Sequence, residues 1–536
     1  MSIEAWQIGF SVLAGLVLFL YGIEHFSTEI QTVAGGTFRE LLGRLTRNPV
    51  LGAMVGAVTT MIVQSSSATT VIAVSLVDAG TISFRGSLGI ILGANVGTTV
   101  TAQLVALKLT AFAPIFLVAG FAVSLFGRRY RFLGRPLFYF GLVFFALALV
   151  SSALEPIKED PRAAELLARY TSLPTGLLAG FLLTVVVQSS SVTTGLVVLL
   201  ASAGLLDLGD AIPILLGANV GTTSTSLLAT ARMGLHARRA AGAHLIFNVG
   251  GVLLFLPLLG WLERVVVDFG GDAAQQVANA HLVFNVVTAV LFLVLVRPFG
   301  SLVTRIVAGE EEEILFVTEH LPARLPADNG EAFSLVEAEL AHLFDVTRRL
   351  FGRVLELLHK PTEAAGRLIE KLEALNDYLD ERIEGALLDL SQRSLTPAAA
   401  ERAVQLVRLS NAMEQLGDTG AAIGRLVAAA RATGTELPVQ ALEDVRDAGA
   451  MLERSFGTLL ESFPELTAER AAEHRANQSE LRRLINEKYA LHVSRLAAGG
   501  SDAPAFVVEA LSGVETASAQ LREIRKQLEN PVEVTL

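Results

Sequence analysis

The residues best suited to hold a ligand are uncharged oxygen carriers that occur twice. Gln64-Ser65-Ser66-Ser67-Ala68-Thr69-Thr70 returns as Gln188-Ser189-Ser190-Ser191-Val192-Thr193-Thr194, each run set in apolar sequence. An asparagine follows each glutamine by 31 residues: Asn95, in Gly93-Ala94-Asn95-Val96-Gly97-Thr98-Thr99, and Asn219, in Gly217-Ala218-Asn219-Val220-Gly221-Thr222-Thr223. Both motifs recur at one offset of 124 residues, which marks an internal duplication. Their side chains offer neutral oxygens, hydroxyl donors and amide donors. Buried without partners, such groups cost a few kcal/mol each, a cost that a bound ligand offsets. Sodium suits the oxygens; a hydrated oxyanion suits the hydroxyls and backbone N–H groups. Ser/Thr/Gly runs also let helices pack closely, but two motifs repeated in register favour a site.

Composition says what must carry these motifs. The 536 residues are 52% hydrophobic with mean hydropathy +0.52. The long apolar runs fall in residues 1–300 and most of the charge in 310–536, which predicts a membrane part and a soluble part. A net charge of −11 gives no reason to expect nucleic acid. The absence of cysteine excludes disulfides and thiolate metal sites. Residues 8–26 form the first apolar run, without a basic leader or cleavage site, and are expected to be a retained span.

The apolar arms on either side of Gln64 are near 14 residues each, short of the ~20 a crossing needs. They predict a re-entrant hairpin with the serines at its tip. Segment 86–106 is long enough to cross, but Gly93 and Gly97 interrupt it, so a broken helix is expected. Spans at 111–126 and 136–152 and a polar connector at 153–173 follow. The second half repeats the plan: a hairpin opened by Pro174 with Gln188 at its tip, a broken helix at 211–230, and spans at 236–260 and 275–296. Short, glycine-interrupted segments at matching places in two halves point to a transporter site. Three crossings between the hairpins make the repeats inverted. The basic residues then divide eleven to five between the faces. The positive-inside rule places the eleven in the cytoplasm, the N-terminus outside and everything after Arg297 inside.

The fold class expected is all-α: a polytopic membrane protein of two inverted repeats with re-entrant hairpins and broken helices, then a soluble six-helix domain. The transporter part covers 1–300 (repeats about 30–152 and 153–300), a linker 301–330, and the soluble part 331–536. Amphipathic helices are expected at 331–359, 362–393, 397–432, 438–461, 467–496 and 504–529. Pro361, Thr396-Pro397, Gly434, Pro464 and Gly499-Gly500-Ser501 separate them. Six helices in this length suggest two consecutive three-helix bundles.

With both motifs in view, residues 8–300 resemble the sodium–phosphate cotransporter family, bacterial members and animal type II cotransporters alike. The resemblance implies substrate and sodium held between opposed hairpins. Carried over residue by residue, it implies phosphate at Gln64, Ser65, Ser66, Ser67, Gln188, Ser189, Ser190 and Ser191, and sodium at Gln64, Asn95, Thr98, Thr99, Gln188, Asn219, Thr222 and Thr223. Helix N-termini aim donors and partial positive charge at anions. No Lys or Arg lies in the four motifs, so helix ends and co-bound cations must neutralise the anion.

The last third resembles a PhoU-like domain, a family that binds metal clusters through Glu-x-x-x-Asp pairs. Glu373…Asp377 and Glu414…Asp418 match, each pair on one helix face, and imply a divalent or transition metal. A solvated acidic face is the competing reading. The second bundle offers Arg482…Asn486 and Glu515…Ala519 instead, which puts metal there in doubt.

His244…Asn248 and His281…Asn285, within Ala-His-Leu-Ile-Phe-Asn and Ala-His-Leu-Val-Phe-Asn, are read as interhelical packing pairs, with proton sensing or pathway lining as the alternative. Asp78 is read as a cap or loop residue, with help in binding a cation as the alternative. The function expected is sodium-dependent inorganic phosphate transport across the cytoplasmic (inner) membrane by alternating access, regulated by the tail. Phosphate, sodium and the lipid bilayer are the partners, with a cytoplasmic regulatory protein and a second copy of the chain as further candidates. Another oxyanion such as sulfate, or a membrane receptor that no longer transports, are the alternatives. No nucleophile–base set or nucleotide motif points to an enzyme.

Overall fold

The computed structural model describes residues 3–44, 48–107, 109–127, 130–158, 172–322, 324–359, 362–432, 439–497 and 504–529, and every regular element among them is helical. The chain divides into two compact units, Met1–Glu310 and Glu311–Leu536.

In chain order, the first unit contains α1 (Ile3–Arg44), α2 (Pro49–Val63), α3 (Ser66–Asp78), α4 (Phe84–Gly97), α5 (Thr99–Ala106), α6 (Ala113–Phe126) and α7 (Arg131–Lys158). It continues with α8 (Leu173–Val187), α9 (Ser190–Ser202), α10 (Leu208–Ala229), α11 (Leu235–Phe255), α12 (Leu259–Asp268), α13 (Ala273–Val294) and α14 (Val296–Ile306). Among the described residues, six stretches are long and apolar enough to cross a membrane: Trp6–Ile30, Phe84–Ala106, Arg131–Ala153, Leu208–Ala229, Leu235–Asp268 and Ala273–Val294. Exposed Phe10, Val118, Phe126, Leu253 and Val294 on these and neighbouring helices are apolar surface that lipid covers. Helix α6, expected to cross, has 14 residues and pairs with α7 across a short turn. The connector expected at 153–173 is helical to Lys158, and 159–171 lie outside the described residues, as do Pro361, Gly434 and Gly499-Gly500-Ser501. The same holds for Arg47, Lys108, Arg128, Arg129, Arg162 and Arg169, which entered the count of basic residues.

Both predicted hairpins form, for legible reasons. Asn48 caps α2 by accepting the Val50 N–H at 2.9 Å, and Pro49 opens the helix where its missing N–H costs nothing. Helices α2 and α8 each end after 15 residues at a glutamine in the left-handed region, Gln64 at φ 57° and Gln188 at φ 59°. Among the described residues these are the only non-glycine positions with positive φ. That conformation reverses the chain into α3 and α9, each of 13 residues.

The broken helices need correction. Helix α10 runs from Leu208 to Ala229 without a break, although Pro213 lies inside it. Between α4 and α5 only Thr98 intervenes, and its backbone is still helical at φ −66° and ψ −20°. The glycines serve close approach instead. A Cβ on Gly93 would overlap the carbonyl oxygen of Ala53 on α2, and one on Gly217 would overlap that of Leu177 on α8. Each long helix thus lies backbone to backbone against the first arm of its own hairpin, the packing that small residues permit inside a membrane. The second arms cross over: α3 packs on α10 and α11, and α9 packs on α5 and α13.

The second unit holds α15 (Asn329–His359), α16 (Glu363–Ser391), α17 (Pro397–Ala432), α18 (Val439–Leu460), α19 (Ala468–Ala497) and α20 (Pro504–Glu529). Helices α15–α17 pack as one trio and α18–α20 as another, joined by α17 against α20 and α15 against α18. A single core runs through both, with Phe344, Leu372, Leu409, Phe456, Leu511 and Leu521 fully buried. Part of the stretch expected as a linker belongs to this core, since Ile314 and Leu321 are buried in it. The Glu339 carboxylate holds that strap by accepting the backbone N–H groups of Glu319, His320 and Leu321. Burial would raise its pKa, but hydrogen bonds from His342 and from this backbone hold it below the usual carboxylate range.

His474 sits inside the second trio with both ring nitrogens unpartnered. Burial first, then Arg525, lowers its pKa to about 4. A histidine whose folded pKa lies below its unfolded value stabilises fully above about pH 6.5 and loses that contribution as pH falls toward 4. The shift corresponds to about 3 kcal/mol at most. In detergent, the melting temperature of the tail therefore falls between pH 6.5 and 4, and His474→Leu flattens that slope. An unchanged slope in the variant places the acid sensitivity elsewhere.

Candidate functional site

At each hairpin tip the glutamine is a strut. Gln64 Nε2 donates to the Met61 carbonyl, and its Oε1 accepts from Thr101 Oγ1 at 2.7 Å. Gln188 Nε2 donates to the Val185 carbonyl at 2.7 Å, and its Oε1 accepts from Thr225 Oγ1 at 2.9 Å. One amide thus closes the first arm and ties the tip to the long helix. The arms are joined by Thr60 Oγ1 donating to Thr69 Oγ1, and by Thr184 donating to Thr193, both at 2.9 Å. Gln64 is buried, whereas Gln188 is exposed.

The serines open the second arms. Ser65 Oγ caps α3 by accepting the Ala68 N–H at 3.1 Å, while Ser189 makes no such cap. Ser66, Ser190 and Ser191 are buried, and Ser65, Ser67 and Ser189 are half-buried. Ser66 and Ser190 are the first residues of α3 and α9, where free N–H groups and the positive helix end converge. One turn on, the hydroxyls of Thr70 and Thr194 are buried without a hydrogen-bond partner, at the same place in both motifs. Thr98 Oγ1 is unpartnered as well. The other threonines donate within their helix, Thr99 to Val96 O and Thr223 to Val220 O at 2.7 Å, and Thr222 to Ala218 O at 3.0 Å.

The asparagines turn to another set of residues. Asn95 Nδ2 donates to Asn248 Oδ1 at 2.7 Å, and Asn95 Oδ1 lies 3.3 Å from His244 Nε2. In the other half, Asn219 Oδ1 lies 3.3 Å from His281 Nε2. Among the described hydrogen bonds, none links Asn95 or Asn219 to a Gln-Ser-Ser-Ser run. The two His…Asn motifs, read from sequence as packing pairs, therefore pack against the repeated motif itself. Thr101 and Thr225 went unread, although they stand at the same 124-residue offset as the glutamines they hold. Asp78 Oδ1 accepts the Gly234 N–H at 2.8 Å, which ties the end of α3 to the start of α11.

In the tail, carboxylate oxygens of Asp377, Glu414 and Asp418 lie within 4.8 Å of one another. Glu373 turns toward Arg425 at 3.2 Å, so three of the four expected acids converge. Burial raises the pKa of Asp377 and of Glu414, with neighbouring carboxylates adding to the shift. Three hard oxygen ligands in mutual repulsion fit a hard divalent cation.

The chain is similar to the uncharacterized protein YqeW of Bacillus subtilis, 34% identical over 268 residues, half of this chain and 87% of the relative. It is similar to YjbB of Escherichia coli K12, named as a candidate inorganic phosphate export protein, 25% identical over 498 residues and 90% of both chains. It is also similar to sodium-dependent phosphate transport protein 2A of Rattus norvegicus, 46% identical over 99 residues, 17% of this chain and 16% of the relative. No solved structure gives a significant match. The Na+/Pi-cotransporter family matches twice, over residues 18–152 and again over 148–293, so each copy of the duplicated motif pair falls within its own match. The chain belongs to the Na+/Pi-cotransporter family, a family of phosphate transporters and not of enzymes.

Proposed function

We propose that the chain carries inorganic phosphate across the cytoplasmic membrane coupled to sodium, by alternating access between two inverted repeats. One observation carries this reading: two helix N-termini at matching places in the two repeats, each opened by a buried serine, with buried hydroxyls one turn on that have no protein partner. Ser65, Ser66, Ser67, Ser189, Ser190 and Ser191, with the N–H groups behind them, take the phosphate. Thr70, Thr98 and Thr194, with the remaining lone pairs of Gln64, Asn95, Thr99, Gln188, Asn219, Thr222 and Thr223, supply neutral oxygens for sodium. No basic side chain stands in these motifs, so the cation is what makes the buried anion affordable in an apolar medium. Flux of labelled phosphate into proteoliposomes, with and without a sodium gradient, is the test. Flux indifferent to sodium removes the coupling, and sulfate flux without phosphate flux changes the substrate.

The excess of basic residues supports a cytoplasmic tail, where a PhoU-like domain would regulate the carrier. The relative named for phosphate export favours the outward direction. Asp377, Glu414 and Asp418 would hold a divalent cation. Their raised pKa values mean that the metal-free tail is destabilised as pH rises from the acid range, because ionisation sets like charges together. Manganese or magnesium should therefore raise the melting temperature at pH 7.5 by several degrees and have little effect near pH 4.5. Asp377→Asn with Glu414→Gln should raise the metal-free melting temperature and remove the response. A metal response that survives the double variant would place the site elsewhere.

A further inference from the structure

The His–Asn motifs are alike in sequence but not in connection. His244 on α11 bridges the two repeats: its Nε2 meets Asn95 on α4, and its Nδ1 meets Ser226 on α10 at 3.1 Å. Nε2–H donates to the Asn95 carbonyl, so the neutral ring is an acceptor at Nδ1, and the one hydrogen of the Ser226 hydroxyl is shared between that nitrogen and the Thr223 carbonyl at 2.9 Å. Asn248 completes the set by donating to the His244 carbonyl at 2.9 Å and accepting from Asn95. On α13, His281 Nε2 meets Asn219 and Asn285 donates to the His281 carbonyl at 2.9 Å, but Asn219 Nδ2 and Asn285 Oδ1 are buried without a partner, so the Asn95–Asn248 bond has no counterpart there. His281 Nδ1, fully buried, has no partner either. The sequence supplies the cause: 124 residues before Ser226 stands Ala102, fully buried on α5, the helix that packs against α13. One imidazole therefore has two arms and the other has one. The same asymmetry shows at the tips, since Gln64 is buried and Gln188 exposed.

We propose that His244 is a positioning residue, a hydrogen-bonded clamp that ties the long helices of the two repeats together and holds the first hairpin's side shut. Ala102 denies the second side the hydroxyl arm, so the two access states differ in stability by the bonds the first side makes and the second lacks. This inference rests on the alternating-access reading of the site. It is tested with two mild substitutions that leave both histidines in place.

Ser226→Ala removes the existing arm, and Ala102→Ser supplies the missing one. The readout is the ratio of apparent phosphate affinities measured from the two faces of sided vesicles. Each single substitution should move that ratio by between about two- and tenfold. The second hydroxyl stabilises the state that the first opposes, so Ser226→Ala loosens the clamped state and Ala102→Ser favours the opposite one. Both singles therefore move the ratio in one direction, the double variant moves it furthest, and the melting temperature changes little. A purely structural role predicts lost stability for Ser226→Ala and no shift for Ala102→Ser. An unmoved ratio, or opposed shifts, in a carrier whose wild type transports overturns the clamp. A wild type without sodium-driven flux defeats the functional reading instead. The clamp is then judged by hydrogen exchange in the purified protein. Ser226→Ala should speed exchange in α10 and α11, Ala102→Ser should slow it in α5 and α13, and unchanged exchange in both overturns it.

Discussion

Ser190→Ala should cut sodium-driven phosphate flux by about ten- to a hundredfold, and Ser66→Ala by a similar factor, while the protein keeps its melting temperature. Each hydroxyl opens a helix, is buried, and lies where several free N–H groups converge. A hydrogen bond to a charged group is worth about 1.5–3 kcal/mol, and the loss of one donor to phosphate sets the factor. Among the described hydrogen bonds none involves the side chain of either serine, so alanine disturbs little of the folded structure. The double variant should fall to the background of empty vesicles. Flux at the wild-type level in both single variants removes these serines from the site.

Gly93→Val, and Gly217→Val in the other half, should destabilise the membrane unit by about 1–3 kcal/mol or more. At both positions the obstacle is a backbone carbonyl rather than a flexible side-chain end, Ala53 in one half and Leu177 in the other. The first hairpin arm would have to lift away from the long helix, taking the glutamine strut with it. Flux and the yield of folded protein should fall together. Gly260→Ala is the control, because nothing lies within 4 Å of a Cβ added there. A Gly93→Val protein that melts like the wild type would show that the close approach of α2 to α4 is not required.

The hairpins were legible in the sequence because arm length and repetition are linear properties. Two arms too short to cross, joined at Gln64 and again at Gln188, leave few other folds in an apolar medium. The six tail helices were legible because their boundaries coincide with prolines, glycines and caps. The glycines misled because the same residue permits a bend or a close neighbour, and only the partner helix decides which. Gly93 and Gly97 face α2, so they mark contact, not rupture. The histidines could not be assigned from sequence because their partners, Asn95 and Asn219, lie 149 and 62 residues away. Nor does linear spacing reveal that Glu373 would turn to Arg425 while Asp377, Glu414 and Asp418 converge.

The reversed backbone at Gln64 and Gln188 bears on how this chain can drift over evolutionary time. Glycine would relax the torsion at no steric cost but carries no amide. Asparagine tolerates the geometry, yet is one methylene too short to span both the carbonyl behind it and the threonine across from it. Glutamate has the reach but would bring a negative charge to the mouth of the proposed anion pocket. Each of these three replacements forfeits something the tip needs, so both positions should stay fixed while the lipid-facing surface around them changes freely.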